Sequence, residues 1–145
     1  MTTKQIVLSG RPVGMPVLED FQTKTIELPE IKEKEILLEA MYFSVDPYMR
    51  GRMNDAKSYA QPFEIGKPII GGVVAKVLKS NSPDFNVNDM VTGYLPWQQH
   101  CIASEKSLLK IDTNIAPASY YLGILGMPGL TAYFHLTYNN ALIIN

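Results

Sequence analysis

One stretch of the sequence, an apolar run that stops at Asp46-Pro47, most constrains how the chain can fold. Residues Glu35 to Val45 are rich in apolar and aromatic side chains and contain no glycine or proline, which indicates a buried β-strand. Asp before Pro favours a turn, and Pro suits the first position of a helix. The pattern therefore predicts a strand that leads into a short helix. This junction brings four side chains to one edge of a sheet, where rigid elements commonly support functional sites: Asp46, Tyr48, Met49 and Arg50.

Short strand-like runs, separated by turns, extend from the N-terminus to Ile111. Phe21 to Leu28 alternates apolar and polar residues, as is typical of a half-buried strand. The β-branched run after Pro68 contains Gly71-Gly72, which predicts a bulge or a close approach of the backbone to another element. Six or seven short strands in this arrangement predict a mostly β domain, either a small barrel or a sandwich.

The pattern changes after Pro117. Tyr120 to Leu125 predicts a short helix, and Gly126 to Gly129 interrupts it. A second helix is predicted from Leu130, with Pro128 near its N-terminus. The chain therefore combines a β domain with short helices at its C-terminal end.

Composition excludes several classes of function. The chain has 145 residues, which fits one domain, and its net charge of -1 argues against nucleic-acid binding. No apolar run is long enough to cross a bilayer, so we expect no membrane partner. The single cysteine, Cys101, cannot form an internal disulfide, which fits a reducing cytoplasm.

Three segments resemble one known family. They are Ser44 to Met53 (SVDPYMRGRM), Trp97 to Gln99 (WQQ) and Leu122 to Tyr133 (LGILGMPGLTAY). These segments are similar to the zinc-independent medium-chain dehydrogenases/reductases, and within them to the prostaglandin reductase and bacterial curcumin reductase group. The resemblance extends from the first strand to about Leu136.

The resemblance implies a fold and a division of the chain. Residues 1–118 would form a GroES-like, partly open β-barrel, the substrate domain, and residues 119–136 would begin the interdomain helices. In the family a Rossmann domain follows and binds NADPH through a glycine-rich turn. That fingerprint is missing here, and residues 137–145 do not resemble the family. We therefore expect a truncated or frame-shifted gene product, or a piece cut from a longer chain.

The resemblance also implies an activity. Hydride would pass from NADPH to the β-carbon of a small-molecule enone or enal, with a hydrogen-bond donor at the developing enolate oxygen. Tyr48 is the candidate for that catalytic contact. The resemblance assigns the substrate contacts to Tyr48, Met49, Arg50 and Tyr59, and the cofactor contacts to Asp46, Met127, Pro128, Gly129 and Thr131.

Each of these residues also has a purely structural interpretation. Asp46 could cap the helix that begins at Pro47, and Tyr48 could pack beneath the barrel. Arg50 could be solvated or ion-paired, and Tyr59 could be a surface-packed aromatic. The segment from Met127 could be a simple turn between helices.

Metal chemistry is not expected. At the positions that resemble the first zinc ligands of zinc-dependent relatives, this chain has Val45 and Gly66-Lys67-Pro68. One cysteine also cannot supply a four-cysteine structural site. His100 and Cys101 are neighbours on a predicted strand, so their side chains point to opposite faces. We interpret this pair as structural.

Two functional hypotheses follow from the length of the chain. In the first, the chain is the substrate-binding part of an NADPH-dependent enone reductase and is inactive alone. In the second, it is a stand-alone GroES-like binding or assembly module without catalysis. The second hypothesis expects an exposed apolar face at Leu122 to Leu136, which would drive homo-oligomer formation or capture of a separate Rossmann half.

Overall fold

A computed structural model describes residues 1–56 and 60–138 and confirms the mostly β fold. Seven strands lie among these residues: β1 (Thr2–Leu8), β2 (Phe21–Glu27), β3 (Glu35–Phe43), β4 (Ile70–Ser80), β5 (Met90–Pro96), β6 (His100–Ser104) and β7 (Leu108–Lys110). The α-helices are α1 (Pro47–Arg52) and α2 (Met127–Tyr138), and short 3-10 helices span Leu18–Asp20, Glu105–Ser107 and Ala118–Leu122.

The strands form two antiparallel sheets that curve into a partly open barrel. The larger sheet has the order β6-β3-β4-β5-β7, and β1 pairs with β2 in a separate ribbon. Strand β1 also joins the end of the larger sheet, because the Ile6 N–H donates to the Trp97 carbonyl at 2.9 Å and the Ile6 carbonyl accepts from the Ile69 N–H at 3.0 Å. All strand pairs in the described residues are antiparallel, so this part of the chain contains no Rossmann unit.

The main core lies between the strands of the larger sheet. Ile36 and Leu38 of β3 alternate inward and are fully buried, as are Val73 and Val77 of β4. The prediction of a wholly buried strand is wrong at the end of β3, where Met41 to Phe43 are 40–48% exposed. Strand β6 pairs with β3 only as far as Glu39, so the end of β3 extends past this neighbour.

A second core holds helix α1 against strand β4. Met49 is 3% exposed and packs with Leu8, Phe63 and Ile69. A Cβ atom added to Gly71 would lie 2.2 Å from Met49 Cε. Glycine at this position therefore leaves room for the end of the Met49 side chain. The register shifts in the pairing of β3 with β4 lie elsewhere, between Leu37 and Leu38 and between Ala40 and Tyr42.

Two arginines bind the loops that surround α1. Arg11 Nη1 donates to the carbonyls of Met53 and Phe63 at 2.8 and 2.9 Å. Arg50 Nη2 donates to the carbonyl of Gly14 at 2.7 Å, and its Nη1 donates to Asn54 Oδ1 at 2.7 Å. These charged donors satisfy loop carbonyls that no strand partner reaches.

Helix α2 presents apolar side chains to solvent. Leu130, Tyr133, Phe134 and Leu136 are 44–60% exposed, which confirms the expected apolar face. The helix continues two residues beyond the predicted end of the interdomain segment, to Tyr138. No helix in the described residues is long and apolar enough to cross a membrane.

The buried thiol of Cys101 predicts a loss of stability at alkaline pH. Burial raises the pKa of the Cys101 thiol from 9.0 to about 12. Below pH 9 the thiol is protonated in both states, and its contribution is fully present. As the pH rises from 9 to 12 the unfolded chain loses this proton first, which removes about 4 kcal/mol.

Urea titrations on either side of pH 9, with a reductant present, measure this loss. The variant Cys101→Ala is less stable at every pH because it loses packing in the core. Its free energy of unfolding should lack the decrease above pH 9 that the thiol causes. If the two proteins lose stability equally above pH 9, the thiol does not cause the alkaline effect.

Candidate functional site

A large cavity lies between the barrel and the C-terminal helices. Its volume is about 1060 Å³. One wall comes from the β3–α1 junction and strands β4 and β5, and the other from the segment between Tyr121 and His135. The barrel wall includes Ser44, Asp46, Tyr48, Gly72, Thr92, Gly93 and Tyr94, and the helical wall includes Leu122, Leu125, Gly126, Met127, Pro128, Leu130 and Thr131.

Glycine at position 72 allows the two walls to approach. A Cβ atom there would lie 3.3 Å from both Leu122 Cδ2 and Ser44 Cβ, tighter than ordinary contact. Tyr121 also links the helical wall to the segment that follows β7, because its hydroxyl donates to the Asp112 carbonyl at 2.7 Å. The cavity therefore depends on contacts between the barrel and the residues that precede α2.

The Asp46 carboxylate faces the cavity rather than capping helix α1. Asp46 occupies the N-cap position with extended backbone, and its carbonyl accepts from Met49 N–H at 3.0 Å. Its side chain makes no capping hydrogen bond and instead accepts from Ser44 Oγ. The side-chain cap considered for Asp46 is therefore wrong, because Ser44 holds the carboxylate.

Tyr48 presents a protonated phenol to the cavity. Its hydroxyl lies 3.1 Å from the hydroxyl of Tyr94, which also accepts from Arg52 Nη1. Burial, the contact with Tyr94 and the charge of Asp46 raise the pKa of Tyr48, and the opposing effect of Arg52 is smaller. Tyr48 therefore stays neutral at physiological pH and can donate a hydrogen bond.

Two predicted substrate residues, Met49 and Arg50, lie outside the described cavity wall. Met49 is in the core beneath α1, and Arg50 binds loop carbonyls. The hydrogen bonds of Arg50 to loop carbonyls match neither the solvated nor the ion-paired side chain considered for it. A substrate role for Met49 and Arg50 stays a prediction that their surroundings do not favour. Tyr59 lies outside the residues that the structure describes.

The cofactor residues predicted in the helical segment differ in whether they line the cavity. Met127, Pro128 and Thr131 line the cavity, whereas Gly129 does not. A Cβ atom on Gly129 would lie 1.7 Å from the Ile124 carbonyl oxygen, so its small size has an internal steric cause. The Thr131 hydroxyl donates to the Met127 carbonyl at 2.8 Å, which leaves its oxygen as an acceptor.

Sequence reasoning missed Tyr94 and Arg52. Arg52 follows Tyr48 by four residues, so a shared helix face was readable from the sequence. Tyr94 lies on β5, and nothing local indicates that its ring stands beside α1. Only the pairing of β5 with β4, from Ile70↔Pro96 to Lys76↔Met90, brings it there.

His100 and Cys101 lie apart from the cavity. Cys101 is 1% exposed and belongs to the main core, whereas His100 is half-buried. Within residues 1–56 and 60–138, no three His, Cys, Asp or Glu side chains form a group that could hold a metal ion.

Comparison with known proteins places this geometry in context. Residues 4–111 match a family model described as the N-terminal domain of oxidoreductase. YfmJ of Bacillus subtilis, provisionally named an NADP-dependent oxidoreductase, is 55% identical over 133 residues, which are 92% of this chain and 39% of that protein. The NADPH-dependent curcumin reductase of Escherichia coli is 45% identical over 130 residues, 90% of this chain and 38% of that protein.

A solved structure shows the same fold. The CurA protein of Vibrio vulnificus in complex with NADPH superposes with a TM-score of 0.85 at 44% identity, over 92% of this chain and 40% of that protein. The chain thus spans about 40% of the length of the relatives it matches.

Gly93, at the floor of the cavity, provides a test of the close contact between β5 and β7. A Cβ atom there would lie 2.7 Å from the Ser107 carbonyl oxygen. We expect Gly93→Ala to cost about 1–3 kcal/mol, because a backbone carbonyl yields little. The matched control is Gly51→Ala in α1, where nothing lies within 4 Å of the added atom.

The control is expected to gain about 0.4–1 kcal/mol through reduced freedom of the unfolded chain. Urea unfolding of both variants measures the two effects. Equal stability of Gly93→Ala and the parent chain would contradict the steric argument.

Proposed function

We propose that this chain is the substrate-binding part of an NADPH-dependent enone reductase. The premise is that the chain belongs to the oxidoreductase family whose N-terminal domain matches residues 4–111. Its relatives include proteins named NADPH-dependent curcumin reductase, 2-alkenal reductase and prostaglandin reductase. The observation that carries the proposal is the neutral Tyr48 phenol on the wall of a large, mainly apolar cavity.

The residues of the barrel wall fit a conjugated carbonyl substrate. An apolar cavity with few polar groups binds such molecules through burial and orients them through single hydrogen bonds. Tyr48 would donate to the substrate oxygen, where negative charge develops when the β-carbon is reduced. A phenol is protonated at neutral pH even at its ordinary pKa of about 10, so Tyr48 is available as this donor.

The second wall fits one face of a nicotinamide ring. Met127 and Pro128 offer apolar surface, and the oxygen of Thr131 can accept from a carboxamide N–H because its own proton is engaged. Asp46, on the barrel wall, would complete the contacts. When bound, NADPH supplies the hydride, and the residues of this chain hold and orient the substrate beside it.

The proposed reaction uses no zinc, and the enzyme would act in the cytoplasm. Cys101 supports both statements, since this single cysteine is buried in the core. With about 40% of the length of its relatives, the chain would not catalyse the reaction alone.

The exposed face of α2 favours a second candidate, a module that assembles with itself. Leu130 and Phe134 are 54% and 51% exposed and lie four residues apart on one helix face. Apolar surface of this kind commonly marks an interaction site.

A chimera tests the enzyme proposal. Residues 1–136 of this chain would replace the matching residues of the E. coli curcumin reductase, which is 45% identical. We expect NADPH oxidation by the folded chimera with an enone, and none by the 145-residue chain. Tyr48→Phe should lower kcat roughly 10- to 100-fold, because it removes a donor to the developing enolate.

The control for the chimera is Tyr42→Phe, since Tyr42 lies on β3 away from the cavity wall. A chimera that folds, as judged by circular dichroism and thermal melting, yet leaves NADPH unoxidised would sink the proposal. Turnover by the isolated chain would overturn the expectation that it is inactive alone.

Sedimentation of the isolated chain tests self-assembly. We expect association that weakens when Leu130 and Phe134 are both changed to Glu, because each charge would have to be desolvated at the interface. The matched control is Ile115→Glu, at a position that is 74% exposed and outside α2. A monomer at all concentrations, with no binding of an apolar dye, would exclude the assembly module.

A further inference from the structure

Three polar side chains meet at one end of the cavity. Tyr48 and Arg52 come from α1, and Tyr94 comes from β5. The Tyr94 oxygen accepts from Arg52 Nη1 and lies 3.1 Å from the Tyr48 oxygen. Tyr48 and Tyr94 both line the cavity, so the arrangement runs from a cation through two phenols to the substrate space.

Arg52 is rigidly held behind the two phenols. Its Nε donates to the Gln61 carbonyl at 2.8 Å, and its guanidinium stacks over the Phe63 ring, 4.2 Å from the centroid. No carboxylate in the described residues lies within salt-bridge distance of Arg52. Arg52 Nη1 donates to the Tyr94 oxygen, and a phenol that accepts from a cation becomes a stronger donor itself.

In the described residues, the hydroxyls of Tyr48 and Tyr94 together have one more hydrogen-bond donor than acceptors within the chain. The other hydroxyls of the cavity wall all donate within the chain: Ser44 to Asp46, Thr92 to the Val73 carbonyl, Ser107 to the Ser104 carbonyl, Tyr121 to the Asp112 carbonyl and Thr131 to the Met127 carbonyl. Tyr48 and Tyr94 together have two protons but form one hydrogen bond with each other. Within the described residues one phenolic proton has no acceptor, and because Tyr94 is 52% exposed this proton is open to solvent or to a ligand in the cavity.

We propose that Tyr94 is a second residue of the substrate site, which shares with Tyr48 the hydrogen bond to the substrate carbonyl, and that Arg52 is its positioning residue. This inference rests on the proposed function, since it takes the substrate to be an α,β-unsaturated ketone. In this Arg52–Tyr94–Tyr48 relay, Tyr94 accepts from both Arg52 Nη1 and the Tyr48 hydroxyl, so a positive charge lies one hydrogen bond behind the Tyr94 donor. It strengthens that donor as charge grows on the substrate oxygen.

The test uses the 145-residue chain with 4-phenyl-3-buten-2-one as the probe. The absorption band of this conjugated ketone moves to longer wavelength when its oxygen accepts a stronger hydrogen bond. We expect a red shift on binding, and we expect Tyr94→Phe to reduce the shift and to weaken binding roughly 5-fold, the effect of one hydrogen bond. Arg52→Lys should reduce the shift in the same direction, because an ammonium cannot reach both Gln61 and Tyr94 as the guanidinium fork does.

Two controls separate a site effect from a structural effect. Tyr42→Phe makes the same chemical change on β3, outside the cavity wall, and should leave the shift and the affinity unchanged. The diene in which a CH₂ group replaces the probe's oxygen should bind the parent chain and Tyr94→Phe equally, because it accepts no hydrogen bond. A weakened diene complex would show that Tyr94 only shapes the cavity, which contradicts the inference.

The outcomes distinguish this inference from the proposed function. If the ketone binds and Tyr48→Phe reduces the red shift while Tyr94→Phe does not, the inference fails and the proposed function stands. If the parent chain binds no ketone up to the solubility limit of the probe, both fail. A reduced shift in both tyrosine variants, with unchanged diene binding, supports the relay.

Discussion

The packing of helix α1 against strand β4 is the constraint on which the rest of the structure depends. The helix can approach because Gly71 leaves room for Met49, whose end would lie 2.2 Å from any Cβ atom there. Once Met49 is buried, the neighbouring residues of the helix have fixed directions. Tyr48 then faces the cavity and Arg50 faces the loop at Gly14. Arg52 contacts Tyr94 on β5. A single buried methionine thus orients the polar side chains around it.

The distribution of hydrogen bonds separates structural from functional polar groups. Arg11 and Arg50 donate to loop carbonyls. The hydroxyl of Ser44 donates to the Asp46 carboxylate, and that of Thr92 donates to the Val73 carbonyl. A site needs donors that the fold leaves unused, since buried polar groups otherwise find partners within the chain. In the described cavity wall the hydroxyl group with that property belongs to the tyrosine pair.

Much of the fold was predictable because its signals are local. The strand before Asp46, the helix that begins at Pro47 and the close approach at Gly71-Gly72 all follow from residues adjacent in sequence, and each was confirmed. The failures have a common cause. The exposed end of β3 depends on where β6 stops, and the Asp46 side chain binds Ser44 instead of the helix N-terminus. Both outcomes depend on a competing partner, which propensity and spacing do not describe.

By itself the sequence determined the secondary structure, the family to which the chain belongs and the presence of Tyr48 at the edge of the sheet. Those properties follow from short-range sterics and from segments that can be compared directly with relatives. Only the tertiary structure decided which groups surround Tyr48. Arg52 and Tyr94 are 42 residues apart and meet because the antiparallel register of β4 and β5 carries Tyr94 back to α1. Register between strands is a long-range property of the folded chain, so the paired phenols of the site became visible only once the sheet was assembled.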